Sequence, residues 1–250
     1  MSLGMFSKIP LPFHIWDEML MPLMVAGLPV VGLVVGVLWW LFGLLLFALG
    51  LPSMLMAALL ALAPFFFAGF LHLDGYMDTS DALLSYRPLE DRLRILKDPN
   101  VGSFAVVMLG ILFVLQFAAF HAVVENGGAY LALVIAISVV SRSCSAFSIF
   151  TLTHMPQSNY TFMLSQNIGL GHKVFVALAL VAAALFSFLY AGFLGPVVLL
   201  VVVLAYAVAL MRVYKSFEGI SGDLLGYSIV IGELFGLIAL AILINLGCFI

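Results

Sequence analysis

The sequence predicts an all-α, polytopic integral membrane bundle of about seven transmembrane helices, with a cytoplasmic helical loop. Three observations carry this. Of the 250 residues 65% are hydrophobic and 8% charged, against roughly 25% charged in soluble domains, and the mean hydropathy is +1.27. Several apolar runs reach the about 20 residues that cross a bilayer. Lys and Arg are absent from alternate connections between those runs, the asymmetry expected of a membrane chain with a fixed orientation. With a net charge of −3, the chain lacks the basic footprint of a nucleic-acid binder.

Taken in order, the runs read as spans over 22–47, 53–70, 104–124, 129–150, 174–191, 196–211 and 228–248. The first is long, follows Asp17 and Glu18 and has no basic leader, so it reads as a span and not a cleavable signal. Gly50-Leu51-Pro52, Glu125-Asn126-Gly127-Gly128 and Gly192-Phe193-Leu194-Gly195-Pro196 form brief connections without Lys or Arg. The longer connections 71–103, 151–173 and 212–227 hold Arg87, Arg92, Arg94, Lys97, Lys173, Arg212 and Lys215, and Lys8 precedes the first span on the same side. The positive-inside rule then places the N-terminus in the cytoplasm and the C-terminus outside, in the cell inner membrane. Only Arg142 falls within a span. Cys144 and Cys248 lie in apolar segments with no metal-ligand spacing, so no disulfide is expected. No repeat or linker divides the chain, which reads as one catalytic membrane domain over 1–250. Its polar clusters all fall on the cytoplasmic side, an arrangement suited to an enzyme using cytoplasmic nucleotides.

The densest cluster is Leu71-His72-Leu73-Asp74-Gly75-Tyr76-Met77-Asp78-Thr79-Ser80-Asp81. Asp78 and Asp81 follow Asp74 at i+4 and i+7, which at roughly 100° per residue puts all three carboxylates on one helix face. Carboxylates so close repel unless a cation sits among them or one keeps its proton. Few hard oxygen ligands, with room for water and phosphate, suit Mg²⁺. His72 lies roughly opposite that face and reads either as a general base or as a satisfied interfacial histidine.

Arg87-Pro88-Leu89-Glu90-Asp91 looks like a helix start, with Pro in the first turn and acids at the positive dipole end. The helix is expected to stop near Asp98, because Pro99 disfavours α geometry in its predecessor. Asp91, Arg94 and Asp98 recur on one face of it, while Arg92 and Lys97 project elsewhere. Guanidinium forks and a lysine beside a Mg²⁺ cluster form a plausible diphosphate clamp. The alternative is an amphipathic interfacial helix laced by surface ion pairs. Further on, Glu218-Gly219-Ile220-Ser221-Gly222-Asp223-Leu224-Leu225-Gly226 offers close backbone approach to a ligand, with Asp223 as a metal ligand or hydroxyl-orienting group. Gly-rich turns between spans are also common without function. Glu233 and Arg142, both within spans, read either as functional groups or as structural partners.

These stretches resemble the adenosylcobinamide-GDP ribazoletransferase (cobalamin synthase) family. Pro10-Leu11-Pro12 with Leu28-Pro29-Val30-Val31-Gly32-Leu33-Val34-Val35-Gly36 is similar to its opening. Leu71-His72-Leu73-Asp74-Gly75, Asp78-Thr79 and Asp81 resemble its HLDG-x-x-DT-x-D signature. Arg92-Leu93-Arg94-Ile95-Leu96-Lys97-Asp98 with Val101-Gly102-Ser103-Phe104 is similar to its basic helix and KD-x-x-x-G-x-F segment. Gly219-Ile220-Ser221-Gly222-Asp223-Leu224-Leu225-Gly226 resembles its G-x-TGD-x-x-G motif. The chain departs from the pattern at Ser221 for Thr, at Ala82 for Gly and at Val230 for Glu, with Glu233 one helical turn later. Thr153-His154-Met155-Pro156 matches only loosely.

The resemblance implies a phosphoryl-group transfer in which the alcohol of α-ribazole or its 5′-phosphate attacks the diphosphate of adenosylcobinamide-GDP. The products are adenosylcobalamin or its phosphate, and GMP. Asp74, Asp78 and Asp81 would hold Mg²⁺ on the diphosphate, and one of them or Asp223 would take the hydroxyl proton. Arg92, Arg94 and Lys97 would bind the departing phosphate, and Asp98, Ser221 and Gly222 fall within the matched motifs as substrate-binding residues. The partners implied are these two substrates and the lipid bilayer, with no nucleic acid; a homo-oligomer is left open. One rival is a CDP-alcohol phosphotransferase, whose DG-x-x-AR signature fails here because Met77-Asp78 follows Asp74-Gly75-Tyr76. The other is a cation-coupled transporter, which needs polar groups through the membrane depth.

Overall fold

A computed structural model describes residues 2–7, 20–155 and 167–247. Lys8, Pro10-Leu11-Pro12, Asp17, Glu18, Pro156 and Cys248 lie outside the described residues. The elements in chain order are α1 (Ser2–Phe6), α2 (Met21–Ala26), α3 (Leu28–Ala48), α4 (Ser53–Ala68), α5 (Leu71–Leu84), α6 (Leu89–Ile95), α7 (Ser103–Glu125), α8 (Leu133–Thr151), α9 (Leu170–Ala191), α10 (Leu194–Phe217) and α11 (Gly222–Asn245). Six helical segments are long and apolar enough to cross a membrane: the α2–α3 pair and α7 to α11. The bent pair α4–α5 adds a seventh if its two helices are counted as one broken span. The predicted class holds, and about seven spans lies within this count.

Several boundaries move. The last span begins at Gly222, six residues before the expected 228, and α10 runs on to Phe217. The predicted connection 212–227 is therefore mostly helix, with Arg212 and Lys215 on its last turns. The second span does not run into the acidic segment. Gly69 (φ 80°) and Phe70 (φ 64°) both take left-handed backbone, and α5 leaves α4 at 100°. Glycine is at home in that region as a helix C-cap, whereas Phe70 adopts it only under tertiary constraint. The consequence is that α5 lies across the end of the bundle and does not continue a span.

Helix α8 is enclosed on most sides, with buried Ser138, Ser141, Ser143, Ser145 and Ser148 along it. In a hydrocarbon interior such hydroxyls need internal partners; Ser143 donates to the Val139 carbonyl at 2.7 Å and Ser148 to that of Cys144 at 2.8 Å. Small residues also admit α3, where a Cβ on Gly32 would sit 2.3 Å from the Ser138 carbonyl oxygen. Trp39 of α3 donates its indole N–H to the Leu60 carbonyl at 2.9 Å, fixing α3 on α4. By contrast α9 presents Leu178, Val181, Leu185 and Leu189 outward, all more than half exposed. An unbroken apolar stripe of that kind is a lipid-facing surface.

The 69–102 and 217–222 connections and residues 151–155 meet at one end of the bundle. There Ile220 N–H donates to Thr153 O at 3.0 Å and Met155 N–H to Ile220 O at 3.1 Å, a single backbone bridge between two loops. The opposite end carries only turns, one held by Tyr190 Oη donating to Ala129 O at 2.5 Å.

Candidate active site

The sequence places its three aspartates on one helix, and α5 keeps them together on its outer side. Asp74 is exposed, Asp78 and Asp81 are half-buried, and His72, Gly75, Tyr76 and Thr79 face inward. What brings a fourth carboxylate to them is the crossing of α5 over the N-terminus of α11. A Cβ on Gly75 would sit 2.8 Å from Asp223 Cα, and one on Gly226 3.3 Å from His72 Cα. Glycine at both positions lets the two backbones touch, which sets Asp223 against the acidic face. Tyr76 stacks on Tyr227 at the same crossing, ring centroids 5.6 Å apart. The two aspartate motifs, about 150 residues apart in the chain, are thus one site.

Helix α7 adds a third edge. The space where Gly102 would carry a Cβ is occupied by the Asp81 carboxylate, whose oxygens lie 1.9–2.1 Å from that position. Asp81 therefore stands directly over the α7 N-terminus, where helix dipole and open N–H groups favour a negative charge. This explains the glycine in the Val101-Gly102-Ser103-Phe104 stretch: it leaves room for the carboxylate.

Crowding has an electrostatic signature. Burial, followed by the charges of Asp74, Asp223 and Asp81, pushes the Asp78 carboxyl up to about 6. Among the described residues, the ion pairs are Arg94–Asp91, His121–Glu125 and Arg142–Glu233, so no protein cation neutralises these four carboxylates. Oxygen donors alone, mutually repelling and half open to water, fit a hard divalent cation. As they stand, no three His, Cys, Asp or Glu side chains among the described residues enclose one ion.

The other predicted site residues fall into place unevenly. Ser221 is the N-cap of α11, its hydroxyl accepting from Leu224 N–H at 3.4 Å; Ser in place of Thr keeps that cap. Gly222 is exposed with open space beside it, while Gly219 faces the Met155 backbone at 2.8 Å and so serves the loop bridge. Helix α6 ends at Ile95, short of the expected stop near Asp98. Asp98 leaves the helical face and accepts from Asn100 N–H at 2.9 Å and Nδ2 at 2.7 Å, which hold its carboxyl below the usual range. Arg94 pairs with Asp91 at the surface. Arg92 lays its guanidinium 5.5 Å over the Phe217 ring, with Nε buried and unbonded among the described residues. Lys97 is exposed. None of the three cations touches the acidic cluster.

His72 is buried, and burial followed by the Arg142 charge drives its imidazole down to about 3. It sits on the buried side of α5, whereas Asp74 is exposed. Arg142 and Glu233 form a buried ion pair at 2.5 Å, with Ser141 Oγ also donating to Glu233 at 2.8 Å. The pair joins α8 to α11 and fits the structural-partner reading of both residues. Sequence reasoning missed Ser141, Gly102 and the Tyr76–Tyr227 stack, because each acts through a contact distant in the chain.

A cavity of about 650 Å³ lies between α1, α2 and the start of α9, away from the carboxylates, with Ser2 and His172 its polar side chains. A smaller one of about 160 Å³ lies behind α5 and is bordered by Asp223.

Comparison with known proteins agrees with the motif geometry. The family model described as cobalamin-5-phosphate synthase matches residues 1–241. A protein of Clostridium botulinum (strain Alaska E43 / Type E3) named adenosylcobinamide-GDP ribazoletransferase is 37% identical over 238 residues, 95% of this chain and 94% of its own. Proteins of the same name from Clostridium perfringens (strain SM101 / Type A) and Pseudomonas fluorescens (strain SBW25) are 36% and 32% identical, covering 97% and 86% of this chain and 96% and 86% of their own. No solved structure matches the chain. The chain belongs to the adenosylcobinamide-GDP ribazoletransferase (cobalamin-5-phosphate synthase) family.

Proposed function

We propose that the chain performs the last assembly step of cobalamin, joining α-ribazole or its 5′-phosphate to adenosylcobinamide-GDP by Mg²⁺-dependent phosphoryl-group transfer. The observation that carries this reading is the gathering of Asp74, Asp78, Asp81 and Asp223 at the α5–α11 crossing with no cationic partner among the described residues. In the reaction, a ribose hydroxyl oxygen forms a bond to the phosphorus bearing the cobinamide. The bond from that phosphorus to the bridging oxygen breaks, and GMP leaves with the oxygen. Bound magnesium would neutralise charge on the diphosphate and its leaving oxygen.

The chain's own residues do the rest. Asp74, Asp78 and Asp81 would hold the ion, and Asp223, which borders both the cluster and the cavity behind it, takes the hydroxyl proton. Arg92, Arg94 and Lys97 on and beside α6 draw the departing phosphate away; Arg94 exchanges its surface partner Asp91 for phosphate when substrate arrives. The site end faces the cytoplasm, because Arg87, Arg92, Arg94, Lys97, Lys173, Arg212 and Lys215 all lie at that end.

The test uses the full chain in nanodiscs with adenosylcobinamide-GDP and α-ribazole, following adenosylcobalamin and GMP by chromatography. Turnover is expected with Mg²⁺, to vanish on chelation and to return on adding Mg²⁺. Product formed equally well under chelation overturns the metal assignment, and transfer only from CDP-alcohols overturns the substrate assignment.

A further inference from the structure

The cavity of about 160 Å³ behind α5 is lined by Met5, Phe6, Leu28, Leu71, Ile149, Leu225 and Ile229, with His72, Ser145 and Asp223 as its polar side chains. Its walls are apolar on five elements, and it ends at the carboxylate that also faces the acidic cluster. His72 is 8% exposed. The imidazole borders the cavity with no protein hydrogen bond among the described residues, so its edge is open to a ligand group.

Size and chemistry narrow the occupant. A dry apolar cavity of about 150 Å³ accepts a benzene-sized ring, so this one suits a compact flat ring system. It is far too small for a corrinoid or a nucleoside diphosphate. Apolar walls reject a base edged with amino and carbonyl groups, whose donors and acceptors would go unmatched. They admit one whose polarity is limited to ring nitrogens, for which the His72 imidazole is the available partner, the Ser145 hydroxyl being engaged by Tyr206.

The geometry points to this cavity as the seat of the acceptor nucleoside's base, a flat, largely apolar heteroaromatic ring. Resting on the transferase reading above, it places the two substrates on opposite sides of the α5–α11 crossing. The donor diphosphate lies on the acidic face and the acceptor base behind it. The ribose passes Asp223 at the open edge beside Gly222, where a Cβ would meet nothing within 4 Å. His72 then has a binding role, its imidazole bordering the cavity.

The experiment fills the cavity from two helices, with Ser145→Leu on α8 and Ile229→Phe on α11, in the full chain in nanodiscs. Steady-state kinetics are measured against each substrate, with benzimidazole as a competitive probe. For the wild type, benzimidazole competes with α-ribazole and not with adenosylcobinamide-GDP. In either variant the KM for α-ribazole is expected to rise about tenfold, the effect of losing roughly 1.4 kcal/mol of binding. The KM for adenosylcobinamide-GDP stays within about twofold, a split that general loss of structure does not produce. Unchanged acceptor KM in both variants, or benzimidazole that competes with the donor, overturns the pocket while leaving the transferase reading standing. No transfer by the wild type overturns both, and proportional loss against both substrates in both variants overturns the pocket alone.

Discussion

Acidic residues occur in two settings in this bundle, and they are treated oppositely. Inside the bundle, Glu233 is matched: Arg142 donates to it at 2.5 Å and Ser141 at 2.8 Å, and the pair's side chains are 2% and 9% exposed. At the bundle end, Asp74, Asp78, Asp81 and Asp223 crowd one another with no matching cation among the described residues. A matched buried pair is a structural joint, here between α8 and α11, because each charge is satisfied by the fold itself. An unmatched cluster is satisfied only by something that arrives. The comparison separates the membrane-embedded acid, which intramembrane position alone would flag as functional, from the acids proposed to hold the metal.

The strongest way to break this contrast is to unmatch the pair. Arg142→Met is expected to lower stability by about 3–5 kcal/mol, the cost of stranding a buried carboxylate. Arg142→Met with Glu233→Met should recover most of it, read by unfolding in mixed micelles. Equal instability in the single and double variants refutes the joint. The converse experiment is Asp78→Asn. Since burial and three neighbouring carboxylates already disfavour the Asp78 charge, its removal should leave stability unchanged or raised. Turnover is expected to fall about 100-fold, as for loss of one electrostatic stabiliser of a transition state. An active Asp78→Asn enzyme erases the functional half of the comparison.

The same contrast marks what sequence could reveal. The acidic face of α5 was legible because helical spacing is local: i, i+4 and i+7 share a face wherever the helix lies. The membrane spans were legible from apolar length. The pairing of Glu233 with Arg142 was not, because 91 residues separate them and either reading suited an intramembrane charge. The bend at Gly69-Phe70 was also hidden: one glycine before an apolar residue does not announce two consecutive left-handed residues. Nor did Gly102 signal its role, which depends on where Asp81 points. The overlong connection at 212–227 arose because Arg212 and Lys215 look like loop residues by charge, although cations suit the last turns of a helix.

Glycine substitutions sharpen the boundary between joint and site. Gly75→Ala pushes a Cβ against the Asp223 backbone at 2.8 Å, and backbone cannot move aside as a side chain can. It is expected to cost about 1–3 kcal/mol, as overpacking does, and to lower activity as α5 and α11 separate. In Gly102→Ala the nearest atoms to the new Cβ are those of the Asp81 carboxylate, which can rotate away. Stability should therefore hold within about 0.5 kcal/mol, while turnover drops about tenfold because one carboxylate leaves the cluster. Thermal unfolding and turnover measured together on both variants test this; Gly102→Ala with full activity removes Asp81 from the site.

The smallest effect expected is at Arg94, and it decides whether α6 belongs to the site or only to the surface. Its guanidinium is largely exposed and pairs with Asp91 one turn away, an arrangement that contributes little to folding because water and salt screen it. Arg94→Gln should leave unfolding unchanged. If the departing phosphate draws Arg94 from Asp91, the variant raises the KM for adenosylcobinamide-GDP about three- to fivefold, the scale of one exposed phosphate contact. Asp91→Asn, which releases Arg94 from its resting partner, should shift that KM the other way. A phosphate clamp moves the two variants in opposite directions, whereas an interfacial helix laced by ion pairs moves neither, since its only task is to lie against headgroups.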